Sequence, residues 1–306
     1  MSVIGLGLAA LGRPGYINLG HGDDVADASL GGMERAAHVV LDAAYDRGVR
    51  HFDAARSYGR AEAFLGSWLR ARGLRRDDVV VSSKWGYEYT AGWRVDAEHH
   101  EIKELSAERL RTQWAESRAL LGEWLALYQI HSATLDSGVL DDPGVREQLD
   151  AIRAGGVRVG LSVTGAAQAA TIDRAVEGGG FDEVQATWNL HERSAGAALA
   201  RAHDAGMEVY VKEALANGRL TDRGAAPALV AAAAERGVTA DALALAAVLA
   251  QPWAGVVLSG AATVAQLESN LTAAGVAWDS ALEGALAGLA EEPEAYWERR
   301  SALPWN

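Results

Sequence analysis

The sequence predicts an α/β protein built as a single (β/α)8 barrel of the TIM type. Short β-branched or apolar runs alternate eight times with longer segments rich in Ala, Leu, Arg and Glu, and no linker interrupts the alternation. Alternating strands and helices favour a parallel sheet, and eight units in about 280 residues fit one closed barrel. We therefore expect one domain over residues 1–306, with a C-terminal tail from about residue 279.

Each unit has a local justification in the sequence. The strands are rich in β-branched residues, whereas the helices repeat apolar residues at helical spacing and often stop at Gly, as at Gly48. Ser106 is placed to cap one helix, and Pro143 stands in the first turn of another. The predicted strands are 3–11, 49–55, 77–85, 125–132, 157–163, 181–189, 207–215 and 254–260. The predicted helices are 32–48, 60–73, 106–122, 143–156, 166–179, 194–206, 239–251 and 263–275.

The competing layout is an open doubly wound sheet that binds a dinucleotide at its first turn. Gly5, Gly7 and Ala10 match the pattern G-x-G-x-x-A. That turn must open directly into a helix whose N-terminus meets the pyrophosphate. Here the loop "LGRPGYINLGHGDD" follows instead, which disfavours the open sheet.

Composition excludes several classes of function. The net charge is −13, without the clustered Lys and Arg that nucleic acids and membrane surfaces require. The absence of cysteine excludes disulfides, thiolate metal sites and a Cys nucleophile. No secretory leader is recognisable, and no window reaches the roughly 18 apolar residues of a membrane span. We expect a cytoplasmic protein that acts on a small molecule without a metal; the sequence does not indicate its oligomeric state.

Polar side chains end seven of the eight predicted strands. The C-terminal ends of the strands form the active-site face of a (β/α)8 barrel. Any one of these residues could cap a helix, lie satisfied in the core or reach solvent. Their convergence on one face is what indicates a site. The residues are Asp53, Lys84, His131, Ser162, Gln185 with Asn189, Lys212 and Ser259.

Four residues suggest proton delivery to a carbonyl oxygen. Tyr58 lies on the loop after the second strand, and a phenol is a weak acid with a pKa near 10. A nearby Lys84 ammonium is expected to lower that pKa, with Asp53 holding the ammonium in place. The His131 imidazole can orient a substrate oxygen. The set lacks a nucleophile and needs a reductant, which a cofactor would supply.

The chain resembles the aldo-keto reductase family over residues from about 3 to 275. "FDAARSYG" resembles the Asp-and-Tyr motif of that family, "VVVSSKWG" its lysine strand and "LALYQIHS" its histidine strand. "GLSVTG", "VQATWN" and "SGAATVAQLESNL" resemble its cofactor-binding segments, in the same order. The resemblance implies that Tyr58 is the general acid, that Asp53 and Lys84 tune it, and that His131 orients the carbonyl.

The same resemblance implies a nicotinamide cofactor that lies across the barrel mouth. Ser162 and Gln185 would hold the carboxamide, and the segment after the last strand would hold the adenosine phosphate at a helix N-terminus near Thr263. The implied cofactor-binding residues are Ser162, Gln185, Lys212, Leu215, Ser259, Gly260, Thr263, Gln266 and Asn270.

Several positions depart from the family pattern. Lys212 stands where a Tyr commonly stacks on the nicotinamide, so we expect it to point at a phosphate or a carboxylate. Val163, Ser259 and Ser269 replace a common Asn, Pro and Glu. Ala262 stands where a basic residue commonly binds the 2′-phosphate. The family default is NADP(H), but the loss of that basic residue makes NAD(H) plausible as well.

The substrate pocket is expected to be aromatic. Trp85, Trp188 and Asn189 lie close to strand ends and are the candidate pocket residues, which suits a sugar or a small cyclic carbonyl compound. The loop "SATLDSGVLDD" is acidic, which disfavours a strongly anionic substrate.

Two other functions remain open from the sequence. One is a cofactor-binding regulatory or interaction subunit of the same fold, without significant turnover. The other is a Schiff-base aldolase that uses Lys84 or Lys212.

Overall fold

The structure, a computed structural model, describes residues 2–306. Its centre is a closed barrel of eight parallel strands, which confirms the predicted fold class. The strands are β1 Val3–Gly7, β2 His51–Asp53, β3 Val80–Trp85, β4 Tyr87–Tyr89, β5 Glu101–Lys103, β6 Leu125–Ala133, β7 Arg158–Val163, β8 Glu183–Thr187, β9 Glu208–Lys212 and β10 Val256–Ser259. Strands β4 and β5 form a separate antiparallel hairpin, and the other eight close the barrel.

All eight predicted helices are present, together with four that were not predicted. The helices are α1 His21–Asp24, α2 Leu30–Asp46, α3 Ala61–Arg72, α4 Ala107–Leu121, α5 Pro143–Ala154, α6 Gln168–Gly178, α7 Gly196–Asp204, α8 Pro227–Arg236, α9 Ala240–Leu249, α10 Val264–Leu271, α11 Ser280–Leu286 and α12 Pro293–Ser301. The Ser106 hydroxyl caps α4 by accepting a hydrogen bond from the backbone N–H of Arg109, as predicted. Helices α1, α8, α11 and α12 are the additions.

Strand pairing brings the predicted strand-end residues to one mouth. Asp53, the last residue of β2, is in register with Gly7, the last residue of β1, and with Ser82, beyond which β3 continues to Trp85. Ser162 is in register with Gln185 on the next strand. The open-sheet alternative is excluded, because β1 pairs with both β2 and β10.

The barrel interior below this mouth holds a carboxylic acid that has no ion-pair partner among the described residues. Glu183 on β8 is fully buried, and its Oε2 accepts a hydrogen bond of 2.8 Å from Gln129 Nε2. Burial raises the pKa of Glu183 well above its usual value, which favours the neutral carboxyl. A Cβ atom at Gly160 on the neighbouring strand would lie 2.2 Å from Glu183 Oε2. The glycine therefore makes room for the acid.

The C-terminal tail packs on its own apolar cluster and then returns to the mouth. Leu282, Leu286 and Tyr296 pack with buried side chains of α8 and α9. The backbone of Asn306 pairs with that of Tyr16 through bonds of 3.1 and 3.2 Å. Thus the tail forms part of the rim above the barrel. Among residues 2–306, no helix combines the length and the apolar character needed to cross a bilayer.

Candidate active site

A cavity of about 540 Å³ opens at the C-terminal mouth of the barrel. Asp53, Tyr58 and His131 line one part of it. The loop after β10 and the first turns of α10 line another part, through residues such as Gly260 and Gln266. Three of the four candidate catalytic residues therefore face one elongated cavity, and the fourth, Lys84, lies behind them.

Asp53 and Lys84 form a buried ion pair beneath the cavity. Lys84 is 0% exposed, and its ammonium contacts Asp53 Oδ2 and donates to the Ala54 carbonyl at 3.0 Å. The other carboxylate oxygen accepts from Ser82 Oγ at 2.6 Å and from Gln185 Nε2 at 3.4 Å. Because every oxygen and the ammonium have partners, the pair is rigid and its charges offset each other.

Tyr58 is held over this pair by the loop after β2. The loop turns at Gly59, whose φ is +59°, and a Cβ atom there would lie 2.4 Å from the Gly12 carbonyl oxygen. The Lys84 ammonium lies 5.1 Å from the centroid of the Tyr58 ring. Burial and then the Asp53 carboxylate nevertheless raise the pKa of Tyr58 well above its usual value. The expected lowering by Lys84 is therefore wrong for this structure, because Asp53 offsets the lysine charge and burial disfavours phenolate.

His131 is a neutral imidazole beside Tyr58. The two rings are edge to face, with centroids 5.5 Å apart. Burial lowers the pKa of His131 well below its usual value, and the charges of Lys84 and Lys212 lower it further. Its Nδ1 lies 3.5 Å from Ser57 Oγ. A neutral ring keeps one N–H donor, which suits hydrogen bonding to a carbonyl oxygen.

Most of the residues implied to hold a cofactor face the cavity. Those that line it are Gln185, Lys212, Leu215, Ser259, Gly260, Gln266 and Asn270. Ser162 and Thr263 do not line it. The Ser162 hydroxyl accepts from the Ser132 backbone N–H at 2.8 Å, and the Thr263 hydroxyl caps α10, so the predicted helix N-terminus is present.

The three candidate pocket residues do not line the cavity. Trp85 is 0% exposed in the core, and Trp188 packs edge to face on Trp253 with centroids 5.7 Å apart. The Asn189 amide donates to the Glu213 carbonyl and to the Tyr296 hydroxyl at 2.9 and 3.1 Å. These side chains support the wall from behind, and Tyr16 and Trp305 supply its aromatic surface in their place.

Arg13 is a site residue that the sequence did not reveal. It lies on the loop after β1, is 3% exposed, and donates to the Ser57 carbonyl and to Glu101 at 3.0 Å each. Its guanidinium lies 5.3 Å from the Tyr58 ring centroid and 4.7 Å from that of Trp305. Its Nε is buried and has no partner among the described residues.

Glu213 and Arg300 form a second unpredicted pair at the mouth. The guanidinium of Arg300, on α12, binds both carboxylate oxygens, with Nε at 3.0 and 2.9 Å from Oε1 and Oε2. Although burial opposes the change, Arg300 and Lys212 lower the pKa of Glu213 to about 2. Lys212 itself donates to Thr187 Oγ1 at 2.8 Å and lies 4.0 Å from Glu213 Oε1.

The model of the aldo/keto reductase family matches residues 4–281. The chain therefore belongs to the aldo/keto reductase family, as the resemblance implied, and the family and fold support an oxidoreductase. The fold is similar to that of an aldo-keto reductase from Bacillus halodurans solved in its holo form, with a TM-score of 0.72 and 19% identity over 94% of this chain and 92% of that one. At that identity the similarity concerns the fold alone.

Curated relatives match parts of the chain. The aldo-keto reductase dtxS3 of Metarhizium robertsii is 30% identical over 212 residues, 57% of this chain and 56% of that protein. A probable voltage-gated potassium channel subunit beta of Oryza sativa subsp. japonica is 38% identical over 86 residues, 27% of this chain and 24% of that protein. The chain thus matches little more than half the length of one relative and a quarter of the other.

Proposed function

We propose that the protein is an NAD(P)(H)-dependent oxidoreductase that interconverts an aldehyde, ketone or sugar carbonyl with the alcohol. Family membership supports the reaction class. The observation that carries the assignment to this site is the convergence of Tyr58, His131 and the Asp53–Lys84 pair at one part of the cavity.

Tyr58 is the proposed general acid. Tyr58 is a phenol at neutral pH, which is the form that delivers a proton to a carbonyl oxygen as the oxygen gains negative charge, although its raised pKa makes it a weak acid in the free site. The neutral His131 ring donates a hydrogen bond to the same oxygen and fixes its direction. The Lys84 ammonium, 5.1 Å from the Tyr58 ring centroid, would favour negative charge that develops on the Tyr58 oxygen, and the paired Asp53 carboxylate would offset part of that effect. Bound reduced nicotinamide would supply the hydride to the carbonyl carbon.

The residues present fit such a cofactor. The lining of the cavity runs from Tyr58 and His131 to the loop of Gly260 and the first turns of α10. Asn217 also lines it, and the Oδ1 of that residue is buried without a partner among residues 2–306. That oxygen would accept from a hydroxyl or amide group of the ligand. Ser259 and Asn270, joined by a 2.7 Å hydrogen bond, would face the adenosine end, with Gln185 near the reacting end.

We propose further that the protein discriminates weakly between NADP(H) and NAD(H). Ala262 lines the cavity without offering a charge, and the Asp241 carboxylate lines the same part. Arg223 is already bound to Asp24 through contacts of 2.7 and 2.6 Å. The 2′-phosphate of NADP(H) would therefore add little binding free energy. The comparison of kcat/KM for the two cofactors tests this, and a strong preference for NADPH would refute it.

The test of the reaction is Tyr58→Phe in a screen of aldehydes, ketones and sugars with both cofactors. We expect the variant to lose at least about 100-fold in kcat, because it lacks the acid. Tyr128→Phe is the matched control, since the Tyr128 hydroxyl lies near Ser117 in the core at 3.3 Å and does not line the cavity. Turnover that Tyr58→Phe leaves intact would refute the assignment and would favour a binding subunit.

The Schiff-base alternative finds little support at one of its two lysines. Lys84 is fully buried and paired with Asp53, so it does not present a free amine to a substrate. Lys212, by contrast, lines the cavity.

A further inference from the structure

The charged side chains at the reacting part of the cavity are paired, with one exception. Arg13 binds Glu101, and Arg300 binds both oxygens of Glu213. Lys212 is 15% exposed at its side chain and lines the cavity. Within residues 2–306, Thr187 Oγ1 is the hydrogen-bond partner of its ammonium, which has three donors in all.

Glu213 does not neutralise Lys212 by direct contact. The Glu213 oxygen nearest to the Lys212 ammonium is 4.0 Å away and is already bound by the Arg300 guanidinium. The ring of Trp297 also lies near the ammonium, with its centroid 5.6 Å away. The lysine is thus held in place while two of its N–H donors remain available to a ligand.

Lys212 belongs to the reacting part of the cavity rather than to the adenosine end. It ends β9 in register with Thr187 of β8, the strand whose Gln185 donates to Asp53, and its charge contributes to the lowered pKa of His131 beside Tyr58. Arg13 adds a second cation close to the Tyr58 ring, and its Nε has no partner within the described residues. A ligand whose carbonyl lies at Tyr58 and His131 would therefore meet positive charge around it.

We propose that the substrate is an oxoacid, a carbonyl compound that carries a carboxylate, and that Lys212 binds the carboxylate. The inference rests on the proposed carbonyl reduction at the same site. It reverses the expectation that the acidic loop after β6 disfavours an anion. Asp141 of that loop pairs with Arg174 and Asp142 caps α5, and neither lines the cavity.

The test compares carboxylates with their methyl esters, which lack the negative charge and add one methyl group. The pairs are 4-oxobutanoate and its methyl ester, and 4-carboxybenzaldehyde and its methyl ester. We expect the wild type to favour the acids in kcat/KM by about 10- to 100-fold, the value of one charge-assisted hydrogen bond. In Lys212→Met the acid-to-ester ratio of kcat/KM should fall to about one. In Lys212→Arg, which keeps the positive charge, the ratio should lie between that of Lys212→Met and that of the wild type. A ratio near one in the wild type would refute the proposal.

Lys103→Met is the matched control. The chain has three lysines, and Lys103 is the one that neither pairs with Asp53 nor lines the cavity; its ammonium donates to the Ser132 carbonyl at 2.6 Å, so its charge lies near the site but is not presented to a ligand. It should keep the wild-type ratio. A high ratio that survives Lys212→Met would refute the role of this lysine. Lost affinity for NAD(P)H with an unchanged ratio would assign Lys212 to the cofactor, and a borohydride-trapped adduct on Lys212 would show imine formation instead.

Calorimetry separates this inference from the proposed reaction. Binding of 4-(hydroxymethyl)benzoate, the alcohol product, should be tighter than binding of its methyl ester in the wild type but not in Lys212→Met. If the wild type turns over no carbonyl compound yet shows this difference, the reaction is wrong and the anion site stands. If it reduces the esters but binds acid and ester alike, the reaction stands and the anion site is wrong.

The preference should also depend on pH. Burial lowers the pKa of Lys212 to about 8. The positive charges of Arg300 and Lys84 lower it further, whereas the carboxylates of Glu213 and Asp53 oppose the change. The ammonium is present below that value, so the acid-to-ester ratio should be constant at lower pH and fall as pH rises through about 8. A ratio that stays constant up to pH 10 would contradict the ionic contact.

Discussion

Asp53→Asn should be strongly destabilising, because it leaves the Lys84 ammonium buried without its counter-charge. Lys84 is 0% exposed, and the carboxylate is its one anionic contact among the described residues. Asn preserves the volume and still offers an oxygen to Ser82. The substitution therefore removes only the ion pair. Removing one partner of a buried ion pair lowers the free energy of unfolding by about 3–5 kcal/mol.

The double variant Asp53→Asn/Lys84→Met isolates this cause. Removing both charges often costs little, so the double variant should recover most of the stability lost in the single one, although neither should turn over substrate. The measurement is urea unfolding at pH 7, followed by Trp fluorescence and by circular dichroism, with coincident transitions required before free energies are compared. A loss below about 1 kcal/mol in Asp53→Asn, or a double variant no more stable than the single one, would refute the reasoning.

Three further predictions concern the rim. The pKa of Glu213 lies near 2 against an ordinary 4.5, so the pair with Arg300 contributes stability above pH 4.5 that is lost as pH falls toward 2. The Tm difference between wild type and Arg300→Met should shrink over that range; a constant difference would contradict it. Trp305→Ala removes the ring over Arg13 and should raise KM for carbonyl substrates by about 3- to 10-fold with a smaller effect on kcat; an unchanged KM would count against it. Gly59→Ala should lower both Tm and kcat, since its φ is +59° and a Cβ would meet backbone; wild-type values of both would overturn this.

The barrel was predictable because its signals are local. Each strand and helix repeats apolar residues at its own period over several residues, so the eight units could be counted along the chain. The β4–β5 hairpin could not be predicted from the sequence, because each strand has only three residues and the two pair across a long loop. The sequence also could not show that Trp85 turns into the core, since the orientation of a strand's last residue depends on packing.

The site was predictable where residues end strands and not where loops fold back. Asp53 ends β2, and Lys84 lies on the neighbouring strand β3 two residues beyond Ser82, the register partner of Asp53, so their contact follows from strands that are adjacent. Arg13 comes from an irregular loop, and Arg300 meets Glu213 across 87 positions of sequence. No local pattern encodes such contacts. The direction of the pKa shift of Tyr58 was missed for a related reason, because burial depends on the loops that cover the ring.

The buried Glu183 and the missing side chain at Gly160 have a consequence for related sequences. With 2.2 Å between a Cβ at position 160 and Glu183 Oε2, a side chain at 160 would require the Glu183 carboxyl to move from its observed position. They should therefore vary together among homologues, and a relative with Ala or Ser at 160 should have a shorter residue at 183. Engineering of the barrel interior would have to treat these two positions as one.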